Sequence, residues 1–253
     1  MTRAMNSQKW ALFLKINLGV FVLIVLQGCN SSQKQDREHL VFKYNEHSNI
    51  ATLDPAFARN PQTIWPSNQL FNGLVQLDDQ LNIQPDIAKS WHINDSTYTY
   101  TFTLRNDVYF HKNKVFKKDS TRSVVAQDFV YSFDRLLSPE LASPGSWVFN
   151  AVQRYHAAND STLVIQLNKP FPAFLGLLSM RYCSVVPKEA IAFYGNDFRS
   201  NPVGTGPFRF KFWEENVKLV LRKNPIYFEK DTQGNRLPYL EAVAITFLPD
   251  KQS

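Results

Sequence analysis

The sequence predicts a mixed α/β fold in which strands dominate, and three observations carry that prediction. Tyr98-Thr-Tyr-Thr-Phe-Thr-Leu104 alternates threonine with aromatic or apolar residues, the period of two of a strand with one buried face. Leu163, Ile165 and Leu167 repeat that period, while Phe208 to Phe212 and Val217 to Leu221, separated by Trp213 to Asn216, read as a hairpin. Ala126, Phe129, Val130, Phe133, Leu136 and Leu137 recur at helical spacing ahead of Ser138-Pro139, so residues 126–137 are expected as an amphipathic helix. An opening strand is expected at His39 to Tyr44, and a second helix from about Gln62 to Asn72, stopping at Gly73. No internal repeat, low-complexity tract or heptad pattern is visible.

The N-terminus reads as an export signal. Arg3, Lys9 and Lys15 precede an apolar run, Ile16 to Leu26, broken only by Asn17 and Gly19. A bilayer-spanning helix needs about 20 apolar residues, whereas a secretory signal needs only about 7 to 15. The run ends in Leu26-Gln27-Gly28-Cys29, which resembles a bacterial lipobox: a small residue lets the signal peptidase reach the bond, and the Cys29 thiol then takes a diacylglyceryl group. Residues 1–28 are thus expected as a lipoprotein signal peptide. Residues 29–38, without an apolar side chain from Asn30 to Glu38, are expected as a solvated tether. The whole chain carries 28 basic and 22 acidic residues; loss of Arg3, Lys9 and Lys15 leaves 25 against 22, a net +3.

That modest charge argues against a nucleic-acid surface, which needs clustered cations. The densest group, Lys112, Lys114, Lys117 and Lys118, reads as a solvated loop. Once Cys29 carries lipid, Cys183 has no internal disulfide partner and is expected as a small buried residue between Tyr182 and Val185. None of His39, His47, His92, His111 and His156 stands in a zinc-hydrolase spacing, so no metal site and no cofactor is expected. There is no Gly-x-Ser-x-Gly elbow, and Asp54, Asp86 and Asp128 are scattered; no catalytic residue is assigned. Gly204 and Gly206 are followed by Pro207 and a strand, not by a helix N-terminus that could hold phosphate, and are expected to form a turn needing backbone angles that a β-carbon resists.

Asn201-Pro-Val-Gly-Thr-Gly-Pro-Phe208, followed by Val217-Lys-Leu-Val-Leu-Arg-Lys-Asn-Pro-Ile-Tyr227, closely resembles the solute-binding proteins of peptide and nickel ABC transporters. Leu53-Asp54-Pro55, Leu70-Phe-Asn-Gly-Leu74, Pro85-Asp-Ile-Ala88 with Trp91, Thr99 to Arg105, Asp128 to Phe133 and Phe171-Pro-Ala-Phe174 match in the family's order. The resemblance implies a two-lobed clamp that closes on an extended ligand and delivers it to permease subunits. Family members are roughly twice as long, so the chain is expected to be an N-terminal half: lobe I from residues 39–71 and 188–253, an inserted α+β subdomain at 72–187, and the second lobe missing. The lobe II groups that neutralise a peptide's termini have no expected counterpart here.

Within lobe I, the resemblance places ligand main-chain pairing on Ala58, Arg59 and Asn60, next to Pro61, which lacks an N–H. A family aromatic after Ala-Ser-Pro is replaced by Gly145; Trp147 is either its substitute or a core residue. Val125 stands where relatives carry a hydroxyl helix cap, leaving Ser123 to serve. The expected protein is a monomeric, non-enzymatic peptide-binding lipoprotein on the periplasmic side of the envelope, held to a membrane by its lipid. A nickel or haem carrier of the same fold, or an inactive truncated gene product, is the alternative. Replacing Cys29 with alanine should leave an unprocessed, unacylated precursor. Metabolic labelling with a fatty-acid analogue checks this: equal incorporation into both forms contradicts the lipobox.

Overall fold

The computed structural model describes residues 40–117 and 121–248. The expected signal, Cys29, the tether and His39 lie outside the described residues. In chain order the elements are β1 (Val41–Glu46), α1 (Pro61–Leu70), β2 (Val75–Leu77), β3 (Ile83–Pro85), β4 (Ala88–Asn94), β5 (Thr99–Leu104), α2 (Ala126–Leu137), β6 (Val152–Asn159), β7 (Thr162–Leu167), α3 (Phe174–Leu178), α4 (Lys188–Tyr194), β8 (Phe208–Glu214), β9 (Lys218–Lys223) and β10 (Ala242–Phe247).

Alternation places the strands as expected. β5 buries Tyr100, Phe102 and Leu104, and β7 buries Leu163, Ile165 and Leu167. The two pair antiparallel with Phe102 opposite Leu163, and β4 and β6 flank them in the order β4-β5-β7-β6. Tyr98 has φ 52 and belongs to the preceding turn, so the strand starts one residue later than the pattern suggests. A second sheet, β1-β10-β9-β8, joins the first described strand to the last three. Its inner strand β10 is buried at five of six positions. A short β2-β3 hairpin stands apart from both.

The α2 boundaries are those that the apolar spacing predicts. Its inner face packs on β6 and β7, with the Phe133 ring centroid 4.6 Å from Phe149 and 5.5 Å from Tyr155. The cap is not Ser123. Val125 has no oxygen to offer, and the Asp128 carboxylate instead reaches back to the Val125 N–H at 2.9 Å, the second half of a capping box. Arg122 grips both Asp128 oxygens at 2.8 and 2.7 Å and also binds Glu189 of α4, fastening the two helices.

Three further expectations change. Helix α1 ends at Leu70, because Phe71 turns extended and drops its ring fully into the core. Gly73 is therefore no helix terminator; its N–H donates to Asp86 Oδ2 at 3.0 Å. In the β8-β9 hairpin the strand runs on through Trp213 and Glu214, and the turn carries Asn216 at φ 62. A bulge between Phe210 and Phe212 resets the alternation and leaves Phe212 outward.

Gly204 and Gly206 are not in the left-handed region; among the described glycines only Gly195 and Gly234 are. They are required for space. A β-carbon at 204 would lie 2.1 Å from the Leu70 carbonyl oxygen, and one at 206 would lie 2.5 Å from the Gln69 oxygen, both backbone atoms at the end of α1. The Gly206 N–H uses this closeness to donate to Leu70 O at 2.9 Å. Gly206→Val should therefore cost about 1 to 3 kcal/mol through overpacking. Urea denaturation reads the loss, and an unchanged midpoint contradicts the close approach.

Candidate functional site

The loop from Asn201 to Phe208 is held from three sides. Gly204 N–H donates to His111 Nδ1 at 3.3 Å, so Nε2 carries the ring hydrogen and donates to Gly206 O at 3.0 Å. The His111 N–H donates to Gly204 O at 2.7 Å, and Asn224 Nδ2 also binds Gly206 O, at 2.9 Å. His111 works here only as the neutral tautomer, and burial pushes its pKa down to about 4.

Beside this loop lies a buried polar cluster. Thr205 Oγ1 donates to Asn72 Oδ1 at 3.0 Å, and Asn72 Nδ2 donates to Asp86 Oδ1 at 2.9 Å and to the Tyr227 hydroxyl at 3.3 Å. The Asp86 carboxyl receives the amides of Asn72 and Gly73, yet burial pushes its pKa up to about 7 against the pull of Arg181. Every hydrogen-bonding atom of the Asn72 side chain is thereby engaged, so it shapes the site rather than reaching a ligand.

This cluster forms part of the wall of a cavity of about 550 Å³ whose lining includes Ala58, Gln76, Arg181, Tyr182, Tyr227 and Glu229. That volume lies in the range of small-molecule sites, about 300 to 1,000 Å³. Of the four residues assigned to ligand contact from sequence, Ala58 lines this cavity. Arg59 and Asn60 line a neighbouring one of about 580 Å³, together with Asp54 and Arg135. Asn60 also caps α1: its Oδ1 accepts the Thr63 N–H at 3.1 Å, and its own N–H turns to Thr63 Oγ1 at 3.4 Å. The Ala58 N–H binds Pro55 O, and the Arg59 N–H binds Phe57 O. The backbone donors of 58–60 are thus occupied, while no described residue donates to the carbonyls of Ala58 and Arg59.

Trp147 is 46% exposed on a 3₁₀ turn, Ser146–Phe149, which excludes the core position, and it lines neither of these two cavities. The Tyr182 ring fills the space of the side chain that Gly145 lacks, with a β-carbon there falling 2.2 Å from the ring. Sequence reasoning passed over Gln76, Arg181, Tyr182 and Glu229, for which no local motif gives a signal.

Asp54, Asp86 and Asp128, scattered in sequence, are all buried and bonded. Asp54 accepts both Arg135 nitrogens, at 3.0 and 2.5 Å, and caps the Pro55–Phe57 turn through Ala56 N. Cys183 is buried as expected, its thiol pushed up to about 12. The described lysines of the 112–117 group are exposed, as a solvated loop requires. Among the described residues no group of three or more His, Cys, Asp or Glu is arranged to hold a metal, and no helix is long and apolar enough to cross a membrane.

Sequence comparison gives the family to which this strand-rich α/β fold belongs. The chain belongs to the bacterial extracellular solute-binding proteins, family 5, whose middle region matches residues 82–253. It is 30% identical over 224 residues to the probable deoxycholate-binding periplasmic protein YgiS of Escherichia coli (strain K12), covering 81% of this chain and 40% of that protein. It is 32% identical over 219 residues to the periplasmic oligopeptide-binding protein OppA of the same organism, covering 78% and 38%. The structure of the periplasmic binding protein DppA from Helicobacter pylori in complex with the peptide STSA superposes with a TM-score of 0.73 at 27% identity, over 84% of this chain and 43% of that one. The chain spans about two fifths of the length of the curated relatives it matches.

Two of the buried titratable groups, His111 and Asp86, pull stability in opposite directions with pH. An unfolded histidine takes its proton near pH 6.5 and folded His111 only near 4, so stability is lost as pH falls through that window. Folded Asp86 keeps its proton up to about pH 7 while the unfolded carboxyl loses it near 3.8, so its contribution is lost as pH rises. At about 1.4 kcal/mol per pH unit, Asp86→Asn should gain up to about 3 kcal/mol between pH 4 and 6.5, and His111→Gln should decline over the same range. Urea titrations at stepped pH test this. Parallel profiles for the two variants contradict the assignments.

Proposed function

We propose that the chain supplies lobe I of the solute-binding component of an ABC importer, binding peptides and oligopeptides and delivering them to a membrane permease, tethered outside the cytoplasm by lipid on Cys29. Residues 39–71 and 188–253 form the body of the lobe and 72–187 the insert. Family membership supports transport and not enzymatic catalysis, since the matched relatives are binding proteins.

One observation carries the peptide reading: the carbonyls of Ala58 and Arg59 accept from no described residue, beside a cavity of suitable size. A ligand with main-chain N–H groups satisfies such acceptors whatever its side chains, as in strand addition. Because the neighbouring N–H groups are occupied, the strip accepts and does not donate. Arg59 and Trp147, both exposed, are proposed to lie along the ligand, and Asn60 to fix the strip through its cap.

Open acceptors alone give little affinity. Each neutral hydrogen bond exchanges against water for about 0.5 to 1.5 kcal/mol, and association costs at least about 4 kcal/mol in lost freedom. Residues 29–253 alone should therefore bind di- to pentapeptides no tighter than about millimolar, and a protein of the relatives' full length carrying this segment should bind at about micromolar or tighter. Isothermal titration against a peptide pool separates the cases. Micromolar binding by residues 29–253 would place the whole ligand site within them and contradict this reading.

A further inference from the structure

A third cavity, of about 480 Å³, opens where the β4-β5 turn meets the chain leaving β7, and it shares no lining residue with the two described above. Its volume also lies in the range of small-molecule sites. Three rings line it: Tyr98 from the turn, Tyr100 from β5 and Phe171 just past β7. Tyr98 is held in the left-handed region, at φ 52, which a residue with a β-carbon seldom adopts. The Leu167 N–H fixes it there by donating to Tyr98 O at 3.0 Å.

Two polar groups on this cavity are left without partners. Tyr100 is only 6% exposed, yet its hydroxyl makes no hydrogen bond among the described residues, whereas a buried tyrosine hydroxyl normally finds one. Asp95 also lines the cavity. The turn that carries it is closed by Asn94, whose Oδ1 accepts the Ser96 and Thr97 N–H groups at 3.1 and 3.2 Å, so the Asp95 carboxylate has no partner among the described residues. Burial first, and then the negative charge of Asp95, raise the Tyr100 hydroxyl above its usual pKa, which sets the two groups within electrostatic reach of each other. A carboxylate and a hydroxyl oxygen call for N–H donors, the carboxylate repels anions, and aromatic faces attract a cation. We propose that this cavity is a second binding site, for a primary ammonium carrying an apolar body, with the ammonium donating to the Asp95 carboxylate and the Tyr100 hydroxyl oxygen and the body lying against the Tyr98 and Phe171 rings. The site is separate from the cavity assigned to peptides, so its failure leaves that reading untouched.

Four probes of one shape test it: phenethylammonium, phenethyltrimethylammonium, phenethyl alcohol and hydrocinnamate, each titrated into the full chain and followed by NMR. Charge-assisted hydrogen bonds are about twice as strong as neutral ones, so phenethylammonium should bind about tenfold tighter than the alcohol. The trimethyl form, which keeps the charge and loses the N–H donors, should fall between them, and hydrocinnamate should bind weakest. The perturbed amides should be those of the β4-β5 turn and of residues 170–172. Asp95→Asn, a change in a turn that Asn94 closes, should bring the ammonium and the alcohol level. Tyr100→Phe keeps the ring against Phe174 and should cost the ammonium about threefold while leaving the trimethyl form unchanged. Equal binding of ammonium and alcohol to the wild type overturns the proposal and leaves a merely apolar cleft. So does binding by none of the four, or a response confined to amides elsewhere in the chain.

Discussion

The structure depends on one close approach, the seating of Gly204 and Gly206 on the last turn of α1. With no β-carbon in the way, the Gly206 N–H reaches Leu70 O, and Leu70 hands over to Phe71 and Asn72, which turn inward. That turn places Asn72 between Thr205, Asp86 and Tyr227, and so fixes one wall of the cavity. His111, from the stretch between β5 and α2, binds both glycines and so ties that stretch to the loop before β8. A side chain at either glycine would push the loop from α1 and slacken all of these contacts together.

The buried charges follow the same economy of position. Asp54 and Asp128 each pair with an arginine to join segments far apart in the fold: the Pro55–Phe57 turn to α2, and the start of α2 through Arg122 to α4. Breaking a buried pair from one side leaves an uncompensated ion, typically about 3 to 5 kcal/mol, so such groups specify how the elements meet. Arg181 and Glu229 are the exception on the cavity wall, since their partners are carbonyls and an amide.

The regular parts of the fold were legible because they obey local periods. Threonine alternation in 99–104 and the apolar spacing of 126–137 state which face is buried, and burial follows. What failed depended on neighbours distant in the chain. Helix α1 stops early because the core takes Phe71; the α2 cap comes from Asp128 because Arg122 holds it there; and the glycines answer to a helix end some 135 residues away, not to their own torsions. The site was less legible. Ala58, proposed from the family resemblance for ligand main-chain pairing, lines the cavity, whereas Gln76, Arg181, Tyr182 and Glu229 meet only after folding and carry no local signature.

Native-state hydrogen exchange tests the central claim most directly. The amides of Gly206 and His111, bonded to Leu70 O and Gly204 O, are compared with those of Leu104 and Leu167, bonded to Ser161 O and Tyr98 O at the ends of the central strands β5 and β7. If the glycine contact is the joint on which the rest turns, all four amides exchange only through global unfolding, with one shared opening free energy. Faster exchange at Gly206 and His111 by local opening, with Leu104 and Leu167 still protected, would contradict it.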